Sequence, residues 1–248
     1  MVDEQGGLQL YEGQIRLWDA GGGLLAQFSP QSYLENIAEH VEPWSFLKFP
    51  YYRKLGWPRG AYRVGPLGRL NAVDGLATPL AAKEFGEFQQ IAGGKPVEGS
   101  LFYHYARMIE LLFALETMGS LLDEKDILST EIRTNGLPPL NSRGIGVIEA
   151  PRGTLIHDYT VDENGLLVRV NLIVATGHNN WAMNEAVGAV ARAYINGGQP
   201  TEGVLNRVEA SIRCYDPCFS CSTHAVGVMP LQVDVVGADG HIVHRLVR

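Results

Sequence analysis

Cysteine is scarce in this chain of 248 residues: Cys214, Cys218 and Cys221 are the only three, and they fall close together near one end. That scarcity excludes the disulfide framework of a small exported domain and favours a cytoplasmic metal or redox site. No apolar run reaches the length of a membrane-spanning helix. The first residues, Met1-Val2-Asp3-Glu4-Gln5-Gly6-Gly7, are acidic and lack the apolar stretch of a secretory signal. Basic residues are outnumbered, 20 Lys and Arg against 27 Asp and Glu, for a net charge of −7. An acidic chain of this kind is not expected to take nucleic acid or an anionic membrane as its main partner. A Gly-x-Gly-x-x-Gly turn is missing, and three thiols are too few for an iron–sulfur cluster, so nicotinamide and cluster chemistry must lie elsewhere. Internal repeats, low-complexity tracts and linkers are also missing. What remains, 46% apolar and 19% charged residues, describes a soluble globular body.

Periodicity predicts an α+β chain, mainly helical, with small β-hairpins. Residues 8–18 alternate as a strand, and a second short strand follows at 24–28 after Gly21-Gly22-Gly23. Residues 31–41 look helical. The aromatic, proline-containing stretch 44–58 reads as irregular. Helices are expected over 78–93 and 101–122; in the second, Met108, Leu111, Leu112, Leu115, Met118 and Leu122 recur three and four apart. Strands are expected over 145–148, 154–159 and 166–175, the last two joined by the turn Asp162-Glu163-Asn164-Gly165. Helices over 179–195 and 202–213 lead to the cysteine-rich stretch. Residues 231–236 and 241–247 read as a final hairpin.

The stretch Asp216-Pro217-Cys218-Phe219-Ser220-Cys221-Ser222-Thr223-His224 carries the chemistry. Two soft thiolates at Cys-x-x-Cys spacing can grip one metal ion, and His224 can reach the same centre or a neighbouring one. The same spacing also suits a dithiol redox pair, half of a structural zinc site, or two inert packed thiols. Cys214 has no partner at ligand spacing and reads as a packed thiol.

This stretch resembles the end of the large, catalytic subunit of nickel–iron hydrogenases. Glu149-Ala150-Pro151-Arg152-Gly153 is similar to a second segment of that family. Phe49-Pro50-Tyr51-Tyr52, Tyr62 to Asn71, Gly153 to His157 and Ala175 to Asn180 resemble its soluble, bidirectional, NAD-linked branch. The resemblance covers essentially the whole chain but only the C-terminal part of a large subunit. It implies a cytoplasmic, NAD-linked enzyme that splits hydrogen heterolytically at a nickel–iron centre, the iron carrying carbon monoxide and cyanide. By resemblance, Cys218 would be a terminal nickel ligand and Cys221 a bridging one. His224 and the backbone carbonyl of Leu172 would hold a nearby magnesium ion. Arg152 would hang over the centre with Asp216 as its electrostatic partner. Thr176, and backbone beside Pro151, would hydrogen-bond an iron-bound cyanide.

The implied partners are a small subunit with iron–sulfur clusters, diaphorase subunits carrying FMN and using NAD, and a maturation endopeptidase that cuts after His224. Residues 1–224 would then be the subunit portion and 225–248 a removable C-terminal peptide. The family's other Cys-x-x-Cys pair, an acidic magnesium ligand and an acidic proton gate have no counterpart in this sequence. The expectation is therefore a split subunit with a separate N-terminal half, a truncated product or an incomplete sequence. The alternatives are a non-catalytic hydrogenase-like fragment and a zinc-binding assembly module.

Overall fold

The structure, a computed structural model, describes residues 1–91, 93–133, 140–195, 201–219 and 232–247. Four antiparallel β units alternate with helices. Strands β1 (Ile15–Trp18) and β2 (Leu24–Phe28) form a hairpin. A short helix, α1 (Tyr33–Asn36), runs directly into β3 (Ile37–Val41), which pairs with β4 (Lys48–Tyr52). Helices α2 (Pro66–Ala72), α3 (Pro79–Ile91) and α4 (Phe102–Leu122) follow. The three-stranded sheet β5 (Arg143–Ala150), β6 (Gly153–Val161) and β7 (Leu167–Ile173) comes next. Helices α5 (Asn180–Tyr194) and α6 (Glu202–Arg213) lead to the cysteine-rich stretch, and β8 (Gln232–Val236) pairs with β9 (Ile242–Val247).

Two apolar clusters hold these elements. One gathers Leu67, Leu70, Phe85, Phe88, Tyr103, Ile109, Met183, Cys214 and Tyr215, so that α2, α3, α4, α5 and the end of α6 share a core. The other sets Ile15, Phe28, Tyr33 and Ile37 against Val147, Ile156 and Ile173 of the sheet. Asp158 is wholly buried and is satisfied on both oxygens, by Arg143 (2.7 and 2.6 Å) and by the Tyr33 hydroxyl (2.7 Å). The Arg143 guanidinium, outweighing burial, holds the Asp158 carboxyl below its ordinary range. At the first turn of α3, the Leu80 and Ala81 amides donate to Glu116 of α4 at 3.0 and 2.9 Å, a carboxylate at the positive end of a helix.

Most expected elements stand where periodicity put them: α3, α4, α5, α6, the β5–β6–β7 strands and the final hairpin. Three differ. The strand expected over 8–18 is confined to Ile15–Trp18. The helix expected over 31–41 lasts one turn. Leu34, Ile37, Ala38 and Val41 mimic helical spacing, but Ile37 pairs with Tyr52 and the chain extends, because ladder pairing overrides a weak local preference. The stretch read as irregular supplies that partner strand, β4. Among the described residues no helix is long and apolar enough to cross a membrane.

Candidate metal centre

Three segments far apart in sequence meet at Cys218. The first is the tip between β5 and β6: Ala150 pairs with Gly153, leaving Pro151 and Arg152 as a two-residue turn. Gly153 has φ +143°, and a Cβ there would sit 2.1 Å from a Val64 methyl, so the tip closes only over glycine. The second is the turn Ala175–Asn179 after β7, which buries Thr176, His178 and Asn179. The third is the exit from α6, where Arg107 donates to the Cys214 carbonyl at 2.9 Å and Asp216 takes φ +50° to turn the chain towards Cys218.

Hydrogen bonds fix their meeting. The Cys218 amide donates to the Thr176 hydroxyl at 3.2 Å. That hydroxyl, used as an acceptor, keeps its own proton to donate. Arg152 Nε donates to the Asp216 carbonyl at 2.6 Å and lies 3.2 Å from the Asp216 carboxylate. Both side chains are roughly half exposed, so the pair orients Arg152 more than it stabilises the fold. The structure thus brings together Arg152, Thr176, Asp216 and Cys218. Pro151 sits at the same tip. Leu172 stands apart on β7, opposite His157, outside the hydrogen bonds that join the other four. Cys221 and His224 lie outside the described residues.

Two further residues support the tip. Arg69, on α2 and 6% exposed, donates to the Ala150 and Pro151 carbonyls at 2.8 and 3.1 Å. It is clamped by Glu110 at 2.6 and 2.7 Å and by Glu149 at 3.2 Å. Burial alone would pull its pKa down; the two carboxylates outweigh this and hold it above the ordinary arginine value. Asn179, 1% exposed, accepts from the Val64 amide at 2.9 Å and donates to the Arg152 carbonyl at 3.3 Å. Sequence reasoning gave neither residue a role, although Arg69 lies inside the family-like stretch Tyr62 to Asn71.

The histidines divide as their surroundings dictate. His157 shares a 2.9 Å bond with the Tyr159 hydroxyl, and His178, wholly buried, shares a 2.7 Å bond with that of Tyr62. Burial pulls the His178 imidazole down to about 4. The unfolded chain takes up this proton near pH 6.5, the folded chain only near 4. His178 therefore contributes stability above pH 6.5 that is lost as pH falls, roughly 3 kcal/mol by pH 4. His178→Gln is expected to flatten the decline between pH 6.5 and 4 in urea unfolding; a decline as steep as wild type would refute this.

Does this donor set suit nickel? Cys218 offers a soft thiol on a held backbone, suited to nickel or another soft metal. Among the described residues no group of three or more His, Cys, Asp or Glu side chains is arranged to hold a metal. The fit thus rests on Cys218 with residues outside the described set.

A family model described as nickel-dependent hydrogenase matches residues 7–224. The chain belongs to the nickel-dependent hydrogenase family. It is 41% identical to the NAD-reducing hydrogenase HoxS subunit beta of Cupriavidus necator, over all of this chain and 51% of that protein. It is 42% identical to a subunit of the F420-non-reducing hydrogenase of Methanothermobacter thermautotrophicus, over 96% of this chain and 50% of that one. A crystal structure of an NAD+-reducing [NiFe]-hydrogenase in the H2-reduced state superposes with TM-score 0.84 and 43% identity, covering 90% of this chain and 49% of that chain. The reduced Ni-Fe-Se hydrogenase of Desulfovibrio vulgaris Hildenborough shares the fold, at TM-score 0.58 and 22% identity, over 90% of this chain and 51% of that one. The hydrogenase chain therefore spans about half the length of the relatives it matches. The expected α+β hydrogenase large-subunit fold is borne out.

Proposed function

We propose that this chain is the C-terminal part of the catalytic large subunit of a cytoplasmic, NAD-linked nickel–iron hydrogenase. The observation that carries the reading is the convergence of Arg152, Thr176 and Asp216 on the Cys218 arm. Cys218 and Cys221 would hold a nickel–iron centre, whose iron would carry carbon monoxide and cyanide. His224 and the Leu172 carbonyl would hold magnesium. When bound, the nickel–iron centre supplies heterolytic cleavage of hydrogen. The protein's own contribution is positional and electrostatic. Thr176 anchors the Cys218 amide and, with backbone beside Pro151, would offer a hydrogen bond to a cyanide on the iron. Arg152, held by Asp216, would place a positive charge beside the centre.

The match to an NAD-reducing hydrogenase supports the NAD linkage, and the lone cluster of cysteines supports a cytoplasmic home. Electrons would leave through iron–sulfur clusters on a small subunit to FMN and NAD on diaphorase subunits. The second pair of thiolates would come from an N-terminal half of the large subunit. Residues 225–248 would be removed by a maturation endopeptidase once metal is in place, coupling loading to closure.

Elemental analysis and hydrogen uptake of the purified assembled complex test the reading. Nickel and iron together with hydrogen-dependent NAD reduction are expected. Zinc alone would make the chain an assembly module, and no metal would make it a non-catalytic relative; either result overturns the proposal.

A further inference from the structure

Helix α4 is apolar on two faces. Tyr103, Ala106 and Ile109 turn inward to the core. Met108, Leu111, Leu115, Met118 and Leu122, spaced three and four apart, turn outward and are 50–71% exposed. The three charged residues of α4 are spent on the protein's own body: Arg107 on the Cys214 carbonyl, Glu110 on Arg69, Glu116 on the first turn of α3. A helix with its charges engaged by its own fold and its apolar side chains outward is built to be covered. A strict three-four repeat is the seam for another helix. The stripe from Met108 to Leu122 runs roughly 21 Å, at about 1.5 Å per residue.

We propose that this stripe seats a helix from the half of the hydrogenase large subunit that lies outside residues 1–248. The occupant follows from the lengths of the relatives: a match over the whole of this chain reaches only 51% of the Cupriavidus necator protein, and the solved NAD+-reducing chain is matched over only 49%. The relatives thus carry a further body about as long again. The inference rests on the proposed reading of this chain as one part of a large subunit, and it names the surface where the parts join.

The test co-expresses the full chain with a tagged polypeptide comprising the part of HoxS subunit beta that this chain does not match, and reads capture by native mass spectrometry. Wild type is expected in a one-to-one complex. Leu111→Glu combined with Leu115→Glu should cut capture at least tenfold with an unchanged circular dichroism spectrum. Leu24→Glu, an exposed apolar site on β2, should capture normally. Undiminished capture of the double variant overturns the proposal, as does failure to capture wild type or a homodimer of this chain sealed through the stripe. The metal reading is judged separately: capture without nickel counts against the centre alone, and nickel in a complex indifferent to the double variant counts against the seam alone.

Discussion

Cys218→Ser is expected to strip nickel from the assembled complex and take hydrogen uptake below detection. Serine preserves the size of the side chain and leaves the amide free to reach the Thr176 hydroxyl, so the arm keeps its place. What changes is the donor: a hard hydroxyl that does not ionise near neutral pH replaces a soft thiolate. Cys214→Ser is the matched control. The Cys214 thiol is fully buried in the helical core, donates to the Ala210 carbonyl at 3.0 Å, and has its pKa pushed up by burial. Serine can donate to the same carbonyl, so nickel should be retained. Elemental analysis of both variants decides the matter. Equal nickel in Cys218→Ser and wild type would remove Cys218 from the centre.

The second large effect falls on Arg69. Arg69→Met keeps most of the stem but deletes the charge that Glu110 and Glu149 surround, leaving two largely buried carboxylates without it and the Ala150 and Pro151 carbonyls without their donor. Removing one partner of such a network costs about 3–5 kcal/mol. Urea unfolding should show a loss of that order, and Glu110→Gln added to Arg69→Met should restore part of it. A single variant within about 1 kcal/mol of wild type would mean that the network contributes little to the fold. Because Arg69 grips the turn that carries Arg152, a complex that survives the substitution should also turn over more slowly.

The residues that were legible in the sequence share a property: their signal is local. Strand-like apolar runs gave β5, β6 and β7, Asp162 to Gly165 gave the turn, and three-four spacing gave α4 its extent. That spacing did not reveal which way α4 faces, because apolar residues occupy both sides and the deciding contacts are made by Arg107, Glu110 and Glu116. At the candidate centre, Cys218, Arg152, Asp216 and Thr176 were visible through motif resemblance, and the structure joins them. Arg69 and Asn179 lie inside family-like stretches too, but nothing in those stretches gave them a role. Their roles consist of bonds to carbonyls 81, 82 and 27 residues away, and no short pattern encodes such distances. Tyr33–Asp158–Arg143 was hidden for the same reason.

Asp216 adopts a left-handed backbone immediately before a proline. Aspartate tolerates that geometry better than most residues, yet glycine would occupy it without the steric cost, a difference on the order of 1 kcal/mol. The chain thus surrenders a little folding energy at a corner where a carboxylate steadies the guanidinium. Relaxing that corner with Asp216→Gly would ease the bend and remove the carboxylate 3.2 Å from Arg152, while the 2.6 Å bond to the backbone carbonyl stays.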